Sequence, residues 1–391
     1  MYSLNTPMIK SFRAPEMQPG DEPPLVIEPR EVTVEIRNLV ETFTSSDNVG
    51  QRYLFGRNEH SAALAKIFSI AGFVDDFTVE TVWHGKPVVK SEAVPNEAII
   101  VNCVMCIRPV SAFNKIKHLR TRGALNYADL FRVFPDRVPC PKFVEDSIAD
   151  FNSNRTKWFL LRNALADGQS RQILDDLLNY RLTGDLACMA GYSVRPSDQY
   201  FEEFLNLNAG EVFVDCGGFD GDTSEEFCRR CPDYGKVYLF EPSAKNIQRA
   251  RTRLSGLRSI EFIDKGLSDV GGVLGFDPDS GSASAVSESG SCQIKVTTLD
   301  GEVREKVSFV KMDLEGWEMK ALLGSRRHIL QDYPKLAICV YHHPSDFWRL
   351  FEFVIGVRSD YKVYLRHYTE GWSETVMYFV PSTQVGNAAS I

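Results

Sequence analysis

The sequence predicts an α/β protein: a doubly wound, Rossmann-like sheet in the second half, preceded by a smaller Rossmann-like domain and a helical connector. Three observations carry this. From Gln51 onward, strand-like and helix-like stretches alternate at the spacing of parallel-sheet proteins. The apolar run that opens "VFVDCGGFDGDTSEEF" (residues 212–227) breaks into a glycine-rich turn and then a helix-forming segment. Later apolar runs end in acids or histidines before the next helix, as strands do when their carboxyl ends face a ligand crevice. At 391 residues the chain exceeds what one ordinary core organises.

Charge and composition narrow the partners. With 44 Lys and Arg against 52 Asp and Glu, the net charge is −8, which does not suit a surface that neutralises phosphates, so no nucleic-acid partner is expected. No apolar run reaches the length of a membrane span and the N-terminus lacks the pattern of a secretory signal, so a soluble, cytoplasmic protein is expected. Nine cysteines scattered through a large chain fit reduced thiols. Cys103 with Cys106 and Cys228 with Cys231 have zinc-like spacing, but they lie in an apolar run and at a helix end, so they read as buried thiols.

Four segments follow along the chain. Residues 1–50 form a flexible arm and lead-in, with six prolines before Arg30. Residues 51–141 form the small Rossmann-like domain: "RYLFGRNEHSAALAKIFSIAG" reads as strand, turn at Gly56 and helix, followed by strand-like "FVDDF", "GKPVV" and "AIIVNCVM". Its turn has one glycine of the three that a dinucleotide fingerprint needs, which favours a structural or partner-binding module. Residues 142–208 form the helical connector, with Trp158, Leu161 and Leu165 on one stripe and Ile173, Leu174, Leu177 and Leu178 on another. Residues 209–391 form the second domain.

In that domain, glycines after the first strand let a ligand lie against bare backbone at a helix start near Thr223. Such a turn suits phosphate, yet Asp215 and Asp220 would repel it. They suit a cationic ligand instead, and S-adenosylmethionine carries both an ammonium and a sulfonium. Glu241 closes the strand "KVYLFEP", where an acid accepts both hydroxyls of a ribose. Asp264 and Lys265 end the third strand, near the expected adenine. "VSFVKMDLEGWEMKALLG" places Asp313 at the end of the fourth strand, where methyl donor and acceptor would meet, with Glu318 as a solvated or capping residue of the next helix. "KLAICVYHHPSDFWRLF" ends a fifth strand in His342 and His343, and "YKVYLRHYTEGWSETVMYFVP" reads as a closing hairpin. The glycine- and serine-rich stretch 270–292 is a candidate lid.

These motifs resemble the FkbM-type S-adenosylmethionine-dependent methyltransferases. The matching stretches are "VFVDCGGFDGDT", "YLFEPS", "VTTLDG", "VKMDLEGWEMKAL", "LAICVYHHPSDFW" and "YLRHYTEGWSETVMYFVP", in the family's order over about residues 212–381. The resemblance implies a seven-stranded class I methyltransferase sheet with an antiparallel last strand, and it carries cofactor binding to Asp215, Gly217, Gly221 and Glu241, with Asp313 matching the family's acid after the fourth strand; the residues themselves add Gly218, Asp220, Thr223, Asp264 and Lys265 to the expected cofactor set. Phe219 stands where the family's Asp-x-Gly-x-Gly-x-Gly form has its middle glycine. In the first domain, "YLFGRN" and "FVDD" are similar to Rossmann-like modules of sugar-modifying enzymes, which points the acceptor towards a sugar or glycoconjugate.

The expected activity is therefore methyl transfer to a sugar hydroxyl. His342 is the first candidate for proton acceptor and Asp313 the second. No metal is expected, although Asp313, Glu315 and the two histidines could supply ligands. A nicotinamide-dependent oxidoreductase would need a glycine triplet that neither turn has. A non-catalytic glycan- or partner-binding module would have no use for acids at successive strand ends. Homo-oligomerisation is left open.

Overall fold

The computed structural model describes residues 27, 30–276 and 292–382. They fall into two compact units. The first takes the described residues up to Arg155, with Gln172–Arg195 and Tyr368–Ser373; the second takes Thr156–Arg171, Pro196–His367 and the described residues from Glu374 on.

The first unit is built on six short strands: β1 (Arg52–Phe55), β2 (Gly72–Val74), β3 (Val82–Trp83), β4 (Lys86–Val89), β5 (Ile99–Asn102) and β6 (Gly123–Asn126). Their order is β3-β4-β2-β1-β5-β6, all neighbours parallel except β3 with β4. Alternate residues serve two cores, Leu54, Phe73 and Val101 on one face and Phe55, Val74 and Ile100 on the other. Burial on both faces explains why these strands read as continuous apolar runs. Gly56 leaves β1 at φ +92°, a conformation that favours glycine. Asn58 then caps the helix Glu59–Ile67 in a capping box with Ser61 and donates to the Cys103 carbonyl.

Two segment boundaries differ from the expected ones. Within the expected arm lies a helix, Val34–Thr44, that buries Val40 and Phe43; prolines dominate the composition only before it. Residues 142–208 do not form a connector of their own. Trp158, Leu161 and Leu165 are buried in the second unit, and Ile173, Leu174, Leu177 and Leu178 in the first. Helical periodicity reports a buried stripe but not what buries it.

The second unit contains β7 (Val212–Cys216), β8 (Lys236–Phe240), β9 (Ile260–Ile263), β10 (Gly266–Leu267), β11 (Gly272–Phe276), β12 (Cys292–Thr297), β13 (Phe309–Met312), β14 (Lys335–Cys339), β15 (Tyr361–His367) and β16 (Thr375–Pro381). Seven of them form a sheet of order β15-β16-β14-β13-β7-β8-β9. The last strand, β16, runs antiparallel between β14 and β15, while β7, β8, β9, β13 and β14 are parallel. The class I arrangement expected from the motifs is thus present. Strand order reverses between β7 and β13, which opens a crevice at their carboxyl ends. There Asp215 of β7 and Lys311 of β13 are register partners.

Only the two ends of the expected lid are described. Gly272–Phe276 pairs antiparallel with Cys292–Thr297, and the stretch between, 277–291, on which the lid reading depends, lies outside the described residues. Among the described residues no helix is long and apolar enough to cross a membrane.

Below the crevice, Phe213 is fully buried and packs on Phe227 at 4.3 Å and Phe309 at 4.9 Å between ring centroids. Phe213→Ala is expected to cost about 3–5 kcal/mol, read as a lower urea midpoint for the second unit's transition, whereas Phe213→Leu keeps most of that stability.

Candidate active site

Glycine and acid alternate after β7 because the backbone there must pass very close to its neighbours. Gly217 has φ +79°, and a β-carbon on it would lie 2.0 Å from the Asp313 carbonyl oxygen. No other residue fits. Phe219, in place of a glycine, still adopts the left-handed conformation at φ +44°, a strain of about 1–2 kcal/mol. Its N–H is held by Glu241 Oε2 at 3.0 Å, and Ser243 N–H donates to Oε1 at 2.8 Å. The acid at the β8 tip therefore fastens the glycine turn from across the crevice. Each of its oxygens keeps room for a further donor.

The turn lines a cavity of about 460 Å³, a size that suits a cofactor with part of an acceptor. Among the described residues, six acids line it, Asp222, Glu226, Glu241, Asp313, Glu315 and Glu374, with one basic residue, Lys311; Glu226 is paired outside the lining with Arg229 and Arg230. Gly266, Leu267, Pro242 and Trp317 add a less polar wall.

Of the expected cofactor residues, Gly217, Thr223, Glu241 and Asp313 line this cavity. Gly218, Gly221, Asp215, Asp220, Asp264 and Lys265 do not. Asp215 is fully buried, 3.1 Å from Lys311 Nζ and accepting from Ser224 Oγ at 2.7 Å. Its charge supports the turn from beneath instead of meeting a ligand. Lys311 also donates to the Gly217 carbonyl at 2.7 Å. Burial pulls the Lys311 pKa down, but Asp215 and Asp313 outweigh it and hold the ammonium charged. Asp220 is turned to Arg253 at 2.9 Å. Lys265 is held by both oxygens of Glu302, and Asp264 is exposed. An acid in a glycine turn is legible in sequence; its depth is not.

At the far end, Asp313 Oδ2 accepts from the Tyr200 hydroxyl at 2.8 Å. Burial raises the Asp313 pKa, but Lys311 and His342 outweigh it and keep the carboxylate ionised. Gln199 donates to the Tyr200 oxygen at 3.0 Å and to Glu374 Oε2 at 2.7 Å, which links two cavity carboxylates through one chain. Glu374 moves the other way: burial, then the nearby Asp313 charge, raises its pKa. Tyr200 sits at φ +73°, held by its N–H to the Tyr378 hydroxyl at 3.0 Å. A bulky residue kept in so unfavourable a conformation marks a position fixed by its surroundings.

His342 is not suited to the role expected of it. Its side chain is 8% exposed, with Nε2 3.6 Å from Asp313 Oδ1 and 3.3 Å from Glu315 Oε2, and Nδ1 3.2 Å from Glu318 Oε1. Burial alone would lower its pKa, but Glu318, Glu315 and Asp313 raise it well above the ordinary value. The imidazolium that results has no lone pair to accept a proton. Glu318 is not solvated: it is 1% exposed, and from the first position of its helix it accepts from the Leu314 N–H at 2.7 Å. Among the described residues, Asp313, Glu315 and His342 each offer a ligand atom, all within 4.8 Å of one another. His343 is exposed and stands outside this group.

Several site residues escape a sequence reading. Lys311 leaves a signal, a charge inside the apolar run "VSFVKM". Gln199, Tyr200 and Glu374 leave none, because they reach the crevice from segments without periodic pattern.

Residues 215–363 match the family model described as the methyltransferase FkbM domain. The second unit thus carries a methyltransferase domain of the FkbM kind, as its motifs suggest. The solved methyltransferase FkbM from Methylobacillus flagellatus KT is similar in fold, with TM-score 0.69 and 24% identity over 89% of this chain and 94% of its own. An rRNA methylase from Streptococcus thermophilus is similar with TM-score 0.33 and 20% identity, over 46% of this chain and 93% of its own. No curated protein matches the chain.

The buried pair beneath the turn yields a direct expectation. Lys311→Met leaves Asp215 as an uncompensated buried charge and is expected to destabilise the fold by about 3–5 kcal/mol in denaturant unfolding, while the double change Asp215→Asn with Lys311→Met recovers part of the loss.

Proposed function

We propose that the second unit is an S-adenosylmethionine-dependent O-methyltransferase that acts on a hydroxyl of a sugar or glycoconjugate. The observation that carries this reading is the electrostatics of the crevice: five acids besides the arginine-paired Glu226, with one lysine, line a cavity at the point where strand order reverses. A dinucleotide pyrophosphate would be repelled by such a lining. A ligand with an ammonium and a sulfonium would be attracted.

The residues present fit that cofactor. Glu241 at the β8 tip would accept the ribose hydroxyls, the backbone around Gly217 and Phe219 would lie along the amino-acid end, and Leu267 with Pro242 would pack on the base. Asp313, which lines the cavity, would lie on the side of the positive sulfur. When bound, S-adenosylmethionine supplies an electrophilic methyl group on a sulfonium.

The chain's own part is to orient the acceptor, exclude water and take up a proton. Gln199, Tyr200 and Tyr341 offer polar groups and ring faces of the kind that hold a sugar. Glu374 is the proton acceptor in this reading. Its raised pKa makes it a better base than Asp313, whose pKa is lowered, or His342, which is already protonated. The acceptor oxygen bonds to the methyl carbon as the carbon–sulfur bond breaks, and the hydroxyl proton passes to Glu374.

Two expectations follow. In calorimetric titrations the protein binds S-adenosylmethionine saturably and NADH not at all, and Glu241→Ala weakens binding at least tenfold; binding of NADH alone would overturn the reading. Because Glu374 must be ionised to accept a proton, kcat/KM rises with pH through a value above the ordinary glutamate range. Glu374→Gln lowers kcat by about 10²–10⁴-fold with cofactor affinity retained, and unchanged turnover in that variant would remove the assignment.

A further inference from the structure

We infer that Asp313, Glu315 and His342 form a binding site for one divalent cation of the manganese or magnesium class, contrary to the expectation of a metal-free site. One ligand atom from each residue lies within 4.8 Å of the others, close enough for the three to share one ion. Two donors that share an ion at about 2.1 Å stand about 3.0–3.4 Å apart. His342 Nε2 lies 3.3 Å from Glu315 Oε2 and 3.6 Å from Asp313 Oδ1.

A cluster of acids alone would say little. Here the imidazole supplies an independent observation: its side chain is 8% exposed, and neither ring nitrogen has a hydrogen-bond partner of proper geometry. Asp313 Oδ1, the atom that Nε2 faces, is also buried without one. On the other side of the ring, Glu318 Oε1 stands 3.2 Å from Nδ1 and is itself anchored by the Leu314 N–H at 2.7 Å. A carboxylate behind one nitrogen with the other directed at the ion is how metal-binding histidines are oriented, and a cation held at Nε2 would displace the proton that the carboxylates otherwise keep on the ring. Donors of two carboxylates and one imidazole suit Mn²⁺, and Mg²⁺ when waters complete the shell.

Asp313 and Glu315 both line the cavity, whereas His342 does not. The open coordination positions therefore face the place of the acceptor. An ion held there would bind the acceptor hydroxyl and make it more acidic, with Glu374 still receiving the proton. That catalytic role rests on the methyl-transfer reading; the site itself stands on the donor geometry.

The test is Mn²⁺ titration of the purified full chain followed by electron paramagnetic resonance, without cofactor, on wild type, Glu315→Gln and His342→Asn, with Mg²⁺ as competitor. The expected result is one saturable Mn²⁺ per chain, displaced by Mg²⁺ and weakened at least tenfold in both variants. Glu315 is one-quarter exposed on a turn, so its variant keeps the fold and decides the matter if the buried histidine change does not. Absence of saturable Mn²⁺ binding, or equal binding by wild type and Glu315→Gln, would overturn the site. S-adenosylmethionine titrated into the same samples separates the two claims: cofactor binding without Mn²⁺ removes only the cation site, and Mn²⁺ binding without cofactor removes only the methyl-transfer reading.

Discussion

The second unit is organised around an ammonium buried beneath a glycine turn. Lys311 sits in the middle strand of the sheet, 2% exposed, where few proteins place a charge. It is tolerated because Asp215 stands beside it in register on β7 and because the Gly217 carbonyl takes one of its hydrogens. The pair joins the two strands at the point where their order reverses, and it fixes the first residues of the turn, where a β-carbon on Gly217 would lie 2.0 Å from the Asp313 carbonyl oxygen. Loosening it would disturb the turn, the Asp313 loop and the cavity wall together.

Around this centre the acids are sorted by depth. Asp215 is neutralised from below, Asp220 is drawn outward by Arg253, and Glu241 is engaged by two backbone N–H groups. What remains for a ligand is an arc of partly satisfied carboxylates. Within it, Asp313 is kept ionised by Lys311 and His342 while burial and Asp313 itself push Glu374 the other way. Two acids linked through Gln199 and Tyr200 are thus set apart in protonation by environment alone, and the proposed mechanism uses that separation to divide charge stabilisation from proton uptake.

The sheet was legible in the sequence because burial on both faces writes unbroken apolar runs and because a turn that admits only glycine has few spellings. Phe219 shows where spelling and geometry part, since it keeps φ +44° in place of the family's glycine through its bond to Glu241. The site was legible only as far as strand tips reveal it: Glu241 and Asp313 line the cavity, while Asp215 and Lys265 are consumed by neighbours that no local pattern announces. Tyr200 and Glu374 were invisible for the complementary reason. They come from an irregular segment before β7 and from the residue ahead of β16, brought to the crevice by tertiary packing. His342 was found, but its protonation depends on Glu318, which reads from sequence as an ordinary helix glutamate.

The central claim is that the carboxylate-lined crevice holds S-adenosylmethionine, and a crystal structure with S-adenosylhomocysteine tests it most directly. The account predicts density in the cavity with the ribose hydroxyls on Glu241, the amino-acid end along the backbone at Gly217 and the sulfur turned towards Asp313. Density elsewhere on the chain, or a ribose bound away from Glu241, would contradict it.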